Sequence, residues 1–378
     1  MSMEQEHDDD DTKIFMEEQK ASIEFSDGAN EAPTDTFWGC KNCGSLDIEE
    51  GYNLKLCKEC RDKLSRRPIP KQIKLVSLLI ILVILFSLWK FPKSISSGVE
   101  YEKGLQAEKA SKYVTAIYHY ENALKEHPES DKALVRLYVS YYEDERIGDA
   151  YKVFDEIAGT SPSEKKMKKE LVDEVNTTTN KLDTYYSPSN ELYDKIKNLQ
   201  NSKTEDIVNI VKPIVDKNPK EVYGAYYLAN LYFDMKNFNE ANQVLSRVIS
   251  NYPDFYAGYL LQAATYRELG KYDEGVAYCN KVLKHNTEDV GAFITLSKIE
   301  LKRRNNAKGL EYAKTAYNID SQDTSVIANL ALAYHYNNLI TERDKYYKIY
   351  QNSNATDKYT DNLLKSIFDG TLQWQKQI

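Results

Sequence analysis

The chain has 378 residues and a formal net charge of −8, and this length predicts two or more folded units. The charge is −10 over residues 1–36, +4 over 37–74 and −2 over 75–378. The long C-terminal part therefore lacks the overall basic surface of a nucleic-acid-binding protein, and nucleic acid is not expected as a partner.

Residues 1–36 carry twelve Asp and Glu side chains against two lysines. A segment so acidic, with few large apolar side chains, cannot bury enough surface to offset its chain entropy. We therefore expect a disordered acidic tail. It is not expected to be a cleavable signal peptide, because the first long apolar run begins too far into the chain.

Four cysteines follow the spacing C-x2-C-x13-C-x2-C, at Cys40, Cys43, Cys57 and Cys60. Two such pairs can place four thiolates around one tetrahedral ion, which predicts a structural Zn²⁺ site with no open position for a substrate. Iron in the same cage is one alternative. Two disulfides in an oxidising compartment are the other.

The segment 37–66 around these cysteines resembles a zinc ribbon, a small unit that needs its metal to fold. Apolar residues between the two pairs predict a short hairpin that brings the pairs together; they are Leu46, Ile48, Leu54 and Leu56. The basic residues that follow would permit contact with protein, nucleic acid or a membrane surface, and these three hypotheses stay open.

Residues 73–91 form an apolar run whose polar members are Lys74, Ser77, Ser87 and Lys90. Nineteen helical residues extend about 28 Å, close to the thickness of a bilayer hydrocarbon core. The run therefore predicts a single transmembrane helix in contact with membrane lipid. Its last aromatic residues, Trp89 and Phe91, suit the interfacial region of a bilayer.

The basic flanks of this run predict an orientation. Eight Lys and Arg residues lie between Lys55 and Lys74, whereas Lys90, Lys93 and Lys103 supply three on the other side. The positive-inside tendency then places the N-terminus in the cytoplasm and the C-terminal part outside, as in a bacterial inner-membrane protein with a periplasmic domain. The opposite topology, with a cytosolic docking platform, is a further hypothesis.

The sequence after residue 97 repeats with a period of 34, which indicates a solenoid built from similar units. The positions that carry this period are Pro128 and Pro162, Pro219 and Pro253, and Ala241, Gly275 and Gly309. The two proline registers differ by one period plus 23 residues, which predicts an insertion at 163–187. Each period has two amphipathic segments, so we expect paired helices and an all-α fold.

The order of apolar, small and aromatic residues in "LVRLYVSYYEDERIGDAYKVFDEIAGTSP" resembles the tetratricopeptide repeat (TPR) family. The resemblance covers 97–357, with two repeats at 97–162 and a degenerate repeat plus four more at 188–357. Residues 358–378 are expected to form a capping helix. The family resemblance implies a right-handed superhelix with a concave groove.

The resemblance also implies which side chains line that groove: Tyr223, Tyr226, Asn230, Phe233, Arg267, Lys298, Leu301 and His335. Aromatic groups beside a few cations would suit an extended peptide with acidic or carboxylate groups. The alternative interpretation is that these residues are ordinary packing and solvated faces.

No Gly-rich phosphate loop, HExxH, GxSxG or EF-hand pattern occurs, so an enzyme is not expected. Cys279 lies on an apolar repeat helix and is interpreted as a small buried hydrophobe. The favoured hypothesis is a membrane-anchored scaffold whose repeats bind a partner protein. The alternative is a transmembrane signal transducer that couples this binding to the zinc ribbon. The oligomeric state stays open.

Overall fold

The computed structural model describes residues 39–66, 69–159, 167–199, 202–353 and 356–376, without the side chains of 87–94 and 376. The predicted acidic tail at 1–36 lies outside these residues. The chain divides into two compact units, residues 1–84 and 85–378. All regular secondary structure in the described residues is helical, which confirms the all-α class.

Two helices come first, α1 at Lys58–Ser65 and α2 at Lys71–Lys109. The remaining α-helices are α3 (Tyr113–Glu126), α4 (Asp131–Glu143), α5 (Ile147–Gly159), α6 (Lys169–Tyr186), α7 (Asn190–Ile196), α8 (Thr204–Lys217), α9 (Val222–Asp234), α10 (Phe238–Asn251), α11 (Tyr256–Glu268), α12 (Tyr272–His285), α13 (Val290–Lys302), α14 (Asn306–Ile319), α15 (Thr324–Tyr336), α16 (Ile340–Gln351) and α17 (Lys358–Phe368). A short 3₁₀ helix at Trp374–Lys376 follows them.

The membrane prediction is wrong on the residues whose side chains are described, because they include no helix long and apolar enough to cross a bilayer. The side chains of Trp89 and Phe91 lie outside the described residues.

The predicted transmembrane span at 73–91 is therefore wrong. The predicted contact with lipid and the single-pass topology with extracytoplasmic repeats are wrong with it. The transmembrane transducer loses its premise with them. What the structure does describe here is one continuous helix of 39 residues. Its C-terminal part belongs to the repeats, where Tyr101 lies 5.8 Å from Tyr120 of α3, measured between ring centroids.

Helices adjacent in sequence pack as hairpins in the second unit, most extensively α9 with α10, α11 with α12, α13 with α14 and α15 with α16. The first helices of successive hairpins also contact one another, α11 with α13 and α13 with α15. Small residues lie between the two helices within a hairpin, as where the Ala263 carbonyl of α11 faces Gly275 of α12, and Ala229 and Ala263 are fully buried. Small side chains there let the helix axes approach closely, and large aromatic residues fill the wider spaces between hairpins.

A left-handed residue ends the first helix of each of six hairpins, and these residues are Ser111, Glu145, Lys236, Gly270, Arg304 and Asn338. They lie 34 residues apart within each repeat register. In each case the next amide N–H donates to a carbonyl five residues earlier, as from Lys271 to Tyr266 at 2.8 Å. This hydrogen bond is that of a Schellman motif, which satisfies a free carbonyl and reverses the chain.

The interval predicted as an insertion, 163–187, contains α6. This helix packs on α4 and α9, and it buries Leu182 and Tyr185. Helix α8 starts at Thr204, 34 residues before the first residue of α10, and it accommodates Pro213 in its interior. The degenerate repeat predicted from residue 188 therefore falls on α7 and α8.

The C-terminal segment contributes to the core of the last repeats. Helix α17 buries Leu364 and Ile367, and the capping role expected for residues 358–378 stays a prediction. Trp374 then packs against Tyr336, with 5.9 Å between ring centroids. Gln375 Nε2 donates to the Leu301 carbonyl at 2.6 Å, so this segment reaches back to α13.

Candidate functional sites: a four-cysteine centre and a groove

Cys40, Cys43, Cys57 and Cys60 come together in the first unit, and their Sγ atoms all lie within 4.8 Å of one another. Cys43 Sγ is 3.6 Å from Cys57 Sγ. All four are free thiols, and Cys43 is the exposed one. Their geometry therefore differs from the alternative of two disulfides and fits four ligands around one ion.

Backbone hydrogen bonds hold the first cysteine pair in a tight turn. The Cys40 N–H donates to Ser45 O at 2.7 Å, and the Gly44 N–H donates to Cys40 O at 2.8 Å. Gly44 has φ of +77°, a conformation that suits glycine. A Cβ on Gly39 would lie 2.9 Å from the Gly44 carbonyl oxygen, so a side chain there would disturb the turn.

The second pair lies at the start of α1, where Cys57 is the N-cap residue. Asn42 Nδ2 donates to Cys60 Sγ at 3.3 Å, which links the two pairs. Burial would raise the pKa of the Cys40 thiol, but backbone hydrogen bonds at Cys57, Asn42 and Cys43 outweigh it and lower that pKa to about 6. The thiolate, the form that binds a metal ion, is therefore favoured at Cys40, whereas hydrogen bonds among the sulfurs raise the pKa of Cys43 to about 12 and the pKa of Cys57 is raised as well.

The donor set fits a tetrahedral ion. Zinc–sulfur bonds of about 2.3 Å would place the four sulfurs about 3.8 Å apart, within the spread found here. All four ligand positions would be cysteines, so the site would be closed to a substrate.

The predicted hairpin between the cysteine pairs is not a pair of strands in the described residues. Two backbone bonds connect the segments instead, from Lys41 N to Lys55 O and from Glu49 N to Leu56 O. Leu56 alone of the four predicted apolar residues is buried with the cysteines, and Leu46 is 80% exposed. Side-chain burial is thus too small to order this segment without the sulfur cluster.

The aromatic part of the predicted groove lies on α9. Tyr223 stacks on Tyr227, and Tyr226 meets Phe255 edge to face, with ring centroids 5.2 Å apart. Asn230 donates its amide to the Tyr226 carbonyl at 2.9 Å. These half-buried side chains form one surface, but much of their contact area is already used in packing.

Phe233 lies toward the end of the same helix. Its ring packs edge to face on Phe238 of the following helix, with centroids 5.3 Å apart. This contact is internal to one hairpin.

The cationic part of the groove lies on α11 and α13. Arg267 Nε pairs with Glu268 at 2.7 Å, and Lys302 Nζ lies 3.6 Å from the other oxygen of Glu268. Although burial acts in the opposite direction, Arg267 and Lys302 hold the pKa of Glu268 below its usual range. One carboxylate is thus shared by two cations, while Lys298 adds a third positive charge.

Lys298 has no hydrogen-bond or ion-pair partner among the described residues. Burial and the charge of Arg267 lower the pKa of its ammonium group, the nearby Glu268 carboxylate acts in the opposite direction, and the resulting pKa is about 8. A desolvated cation beside a second cation is electrostatically unfavourable. An anion placed between Lys298 and Arg267 would relieve both costs.

Two predicted groove residues are occupied by packing. Leu301 is fully buried, in the core that also holds Trp374. His335 lies 5.0 Å from the ring of Phe368, and burial together with Arg343 lowers its pKa. The C-terminal segment after α16 covers both residues, which repeat periodicity alone does not reveal.

Sequence reasoning missed Lys302 and Glu268 as members of the cationic cluster. The available signal was spacing, because Lys302 follows Lys298 by four residues and so lies on the same face of α13. Its Nζ also lies 4.7 Å from the centroid of the Trp374 ring. This contact with the C-terminal segment holds the lysine in place.

Comparison with known proteins gives one sequence match. Residues 223–254, the hairpin α9–α10, match the tetratricopeptide repeat family. The matched residues lie in the register that the 34-residue period predicts. No curated protein matches the sequence.

Several solved structures align with parts of this chain. A tetratricopeptide repeat protein from Parabacteroides merdae is 14% identical and covers 71% of this chain and 98% of its own, with a TM-score of 0.40. MamA from Desulfovibrio magneticus is 14% identical over 42% of this chain and 92% of its own, with a TM-score of 0.36. Similarity at this level carries no argument about function.

Proposed function

We propose that this chain is an interaction scaffold whose helical repeats bind an extended acidic segment of a partner protein. The observation that carries the proposal is the unpaired Lys298 beside Arg267. Desolvated charges in proteins are normally paired. Lys298 is desolvated and unpaired but still partly exposed, so a bound ligand can supply the anion that pairs with it. Peptide carboxylates are the anions that an array of this kind would meet along an extended ligand.

The aromatic surface on α9 supports the same proposal. Tyr223 and Tyr226 offer flat, partly exposed rings two hairpins before Lys298, on the corresponding helix of their own hairpin. An extended peptide can contact aromatic side chains at one repeat and place a carboxylate at another. Catalysis and nucleic-acid binding have no role in this proposal, and both expected absences stay predictions.

Binding of two pools of short labelled peptides would test the proposal. One pool has a fixed glutamate at its centre, and the other has glutamine there. We expect the glutamate pool to bind more tightly, by about tenfold, because a charge-assisted hydrogen bond exceeds the neutral one that glutamine can accept by about 1.4 kcal/mol. Equal binding of the two pools would contradict the proposal.

Two lysine variants locate the effect. Lys298→Met should abolish the preference for glutamate while leaving the helical content unchanged. Lys348→Met is the matched control, because Lys348 is an exposed lysine on α16, the second helix of its hairpin. The Lys348→Met control should retain the full preference for glutamate. If both variants lose that preference, the peptide does not bind at Lys298.

We propose further that the four-cysteine centre holds one structural Zn²⁺ ion, with Cys40, Cys43, Cys57 and Cys60 as ligands. The support is the closed set of four sulfurs and the small apolar core around them, which gives the segment little other reason to fold. Its position in a separate compact unit leaves the partner of this unit open.

Metal content and amide exchange test the zinc assignment. The purified protein should contain about one zinc per chain, and a chelator should release it and expose the Cys40 amide to exchange. Cys57→Ser should lower the zinc content strongly, whereas Cys279→Ser should leave it unchanged. Iron instead of zinc, or full amide protection after metal removal, would refute the assignment.

A further inference from the structure

The first two hairpins are joined to a distant part of the array. Thr287, in the connection between α12 and α13, donates its N–H to Ser111 O at 2.8 Å. The Thr115 N–H and hydroxyl both donate to Glu288, at 2.8 and 2.7 Å. Asn286 Nδ2 donates to Asp144 Oδ1 at 2.8 Å. We call this contact, between 111–115 and 143–146 on one side and 285–289 on the other, the clasp.

Both turns that enter the clasp are the left-handed turns of their hairpins, at Ser111 and Glu145. Because these turns lie one period apart, they present their polar groups side by side to the same loop. Contact across 142 to 177 residues of sequence is unusual for a repeat array, in which each unit normally contacts its neighbours. The clasp is therefore a feature of this chain rather than of its repeat pattern.

The clasp concentrates carboxyl groups. Glu143, Asp144 and Glu145 from the second turn face Glu288 and Asp289 of the loop. Thr115 satisfies Glu288, and Asp289 accepts the Ala292 N–H as the N-cap of α13 at 2.6 Å. The carboxyl group of Glu145 makes no hydrogen bond or ion pair with any described residue, so ionising it would place an unpaired charge among four other acids.

The groups around these acids offer little compensating positive charge. His285 Nε2 lies 2.8 Å from Glu143 and is charged only when protonated, and Arg146 is already paired with Asp149. The other titratable groups that face the cluster, one or more from each neighbouring element, are Glu108, Tyr113, Tyr142, Tyr186, Tyr226, Asp254, Tyr256 and Cys279.

We propose that the clasp is a proton-controlled closure: it holds when Asp144, Glu145 and Asp289 carry protons and opens when they ionise. Opening would separate the first two hairpins from the loop at 285–289. In the described part of the chain only the four cysteines bring three or more ligating atoms within 4.8 Å of one another, so these acids do not form such a group.

The direction follows from proton linkage. Burial raises the pKa of Asp144 to about 7 and that of Asp289 to about 6, and burial with the neighbouring Asp289 raises the pKa of Glu145 well above its ordinary value. Carboxyls exposed by opening return to about 4. The closed form therefore holds protons that the open form releases, and closure is favoured at low pH and lost as pH rises through about 6 to 7.

Amide exchange of the full chain tests the proposal directly, because the Thr287 N–H is bonded across the clasp. After correction for intrinsic exchange, its protection should fall about tenfold per pH unit for each carboxyl that gains charge on raising pH from about 5 to about 8. The solution radius of gyration should rise over the same range. Constant protection across this range would overturn the proposal.

Two sets of variants separate the acids from general charge effects. Asp144→Asn, Glu145→Gln and Asp289→Asn together should make Thr287 protection independent of pH, and asparagine can still cap α13. Asp206→Asn, Glu240→Gln and Glu274→Gln remove equal charge from exposed first turns and should leave the pH dependence intact.

A single substitution tests the clasp without relying on the triple variant. Glu288→Ala removes both bonds to Thr115 and should lower Thr287 protection at every pH. Undiminished protection in this variant would contradict the clasp itself. None of these measurements uses a peptide ligand, so the result stands apart from the proposed groove.

Discussion

Single glycines set the spacing between the two helices of a hairpin. A Cβ on Gly275 would lie 2.9 Å from Ile299 Cδ1 and 3.1 Å from the Ala263 carbonyl oxygen. Ala241 occupies the equivalent position one repeat earlier and is fully buried. The same column thus holds alanine where the helices leave room and glycine where they do not.

Gly275→Ala should therefore destabilise the repeats by about 1–3 kcal/mol, because the added methyl group overpacks a contact with backbone on one side. Gly148→Ala is the matched control. No atom lies within 4 Å of the corresponding Cβ position on Gly148 in α5, so the change should add about 0.5 kcal/mol of stability. Chemical denaturation of both variants checks the pair, and equal effects would contradict the packing argument.

Lys298 lowers the stability of the unliganded protein, whereas in the proposed function it contributes to the binding of an acidic ligand. Its pKa of about 8 lies below that of a free lysine, so keeping it charged at neutral pH costs folding free energy. Lys298→Met should raise the free energy of unfolding by about 1–3 kcal/mol at pH 7.

The unliganded protein also tests this residue through pH. In the wild type, the unfolded chain keeps the lysine proton above pH 8 and the folded chain loses it, so this residue's contribution to stability should rise as pH increases from about 8. Lys298→Met should lack that rise, and Lys348→Met should keep it. A destabilised Lys298→Met protein would show that the ammonium group has a structural partner.

At the scale of elements, the turn within each hairpin is the most regular feature of the array. Five of the six left-handed residues are not glycine, although a side chain in this conformation costs about 1 kcal/mol. The Schellman hydrogen bond compensates for part of that cost. A turn can therefore carry a functional side chain, as Glu145 does in the clasp.

Lys236→Gly should stabilise the α9–α10 hairpin by about 0.5–1 kcal/mol, because glycine adopts the left-handed conformation without strain. Gln243→Gly, at an exposed interior position of α10, should instead cost about 1 kcal/mol. Thermal unfolding of both variants distinguishes a turn effect from a general effect of glycine. Destabilisation by Lys236→Gly would mean that the lysine side chain is itself engaged.

The sequence period predicted the helices that recur in every repeat. It did not predict the helices that occur only once in the chain. The paired helices follow from the 34-residue spacing of Pro219 and Pro253 and of the small residues. Helix α6 occupies an interval that only broke the period, and the C-terminal segment buries Leu301 although its position in the repeat pattern suggested a groove. The apolar run after residue 73 was interpreted from composition alone. The cysteine spacing carried more information, since it brought four sulfurs into one cluster.

For the second unit taken whole, the clasp was beyond sequence reasoning. Thr115 and Glu288 are ordinary exposed residue types, and nothing in their local patterns connects them. Their contact depends on the accumulated rotation of the intervening hairpins, including α6, which no single repeat determines. The same holds for Asp144 and Asn286, whose separation of 142 residues spans both repeat registers.

The clasp also changes how this unit should respond to force. An array pulled from its two ends normally bears load in series and lengthens one hairpin at a time. Here the bond from Thr287 to Ser111 bridges 176 residues, so the enclosed hairpins carry no tension until the clasp ruptures. They then release up to about 600 Å of hidden length. Single-molecule extension should show this shielding at about pH 5 and its loss at about pH 8, which would make the unit a tether whose compliance is set by acidity.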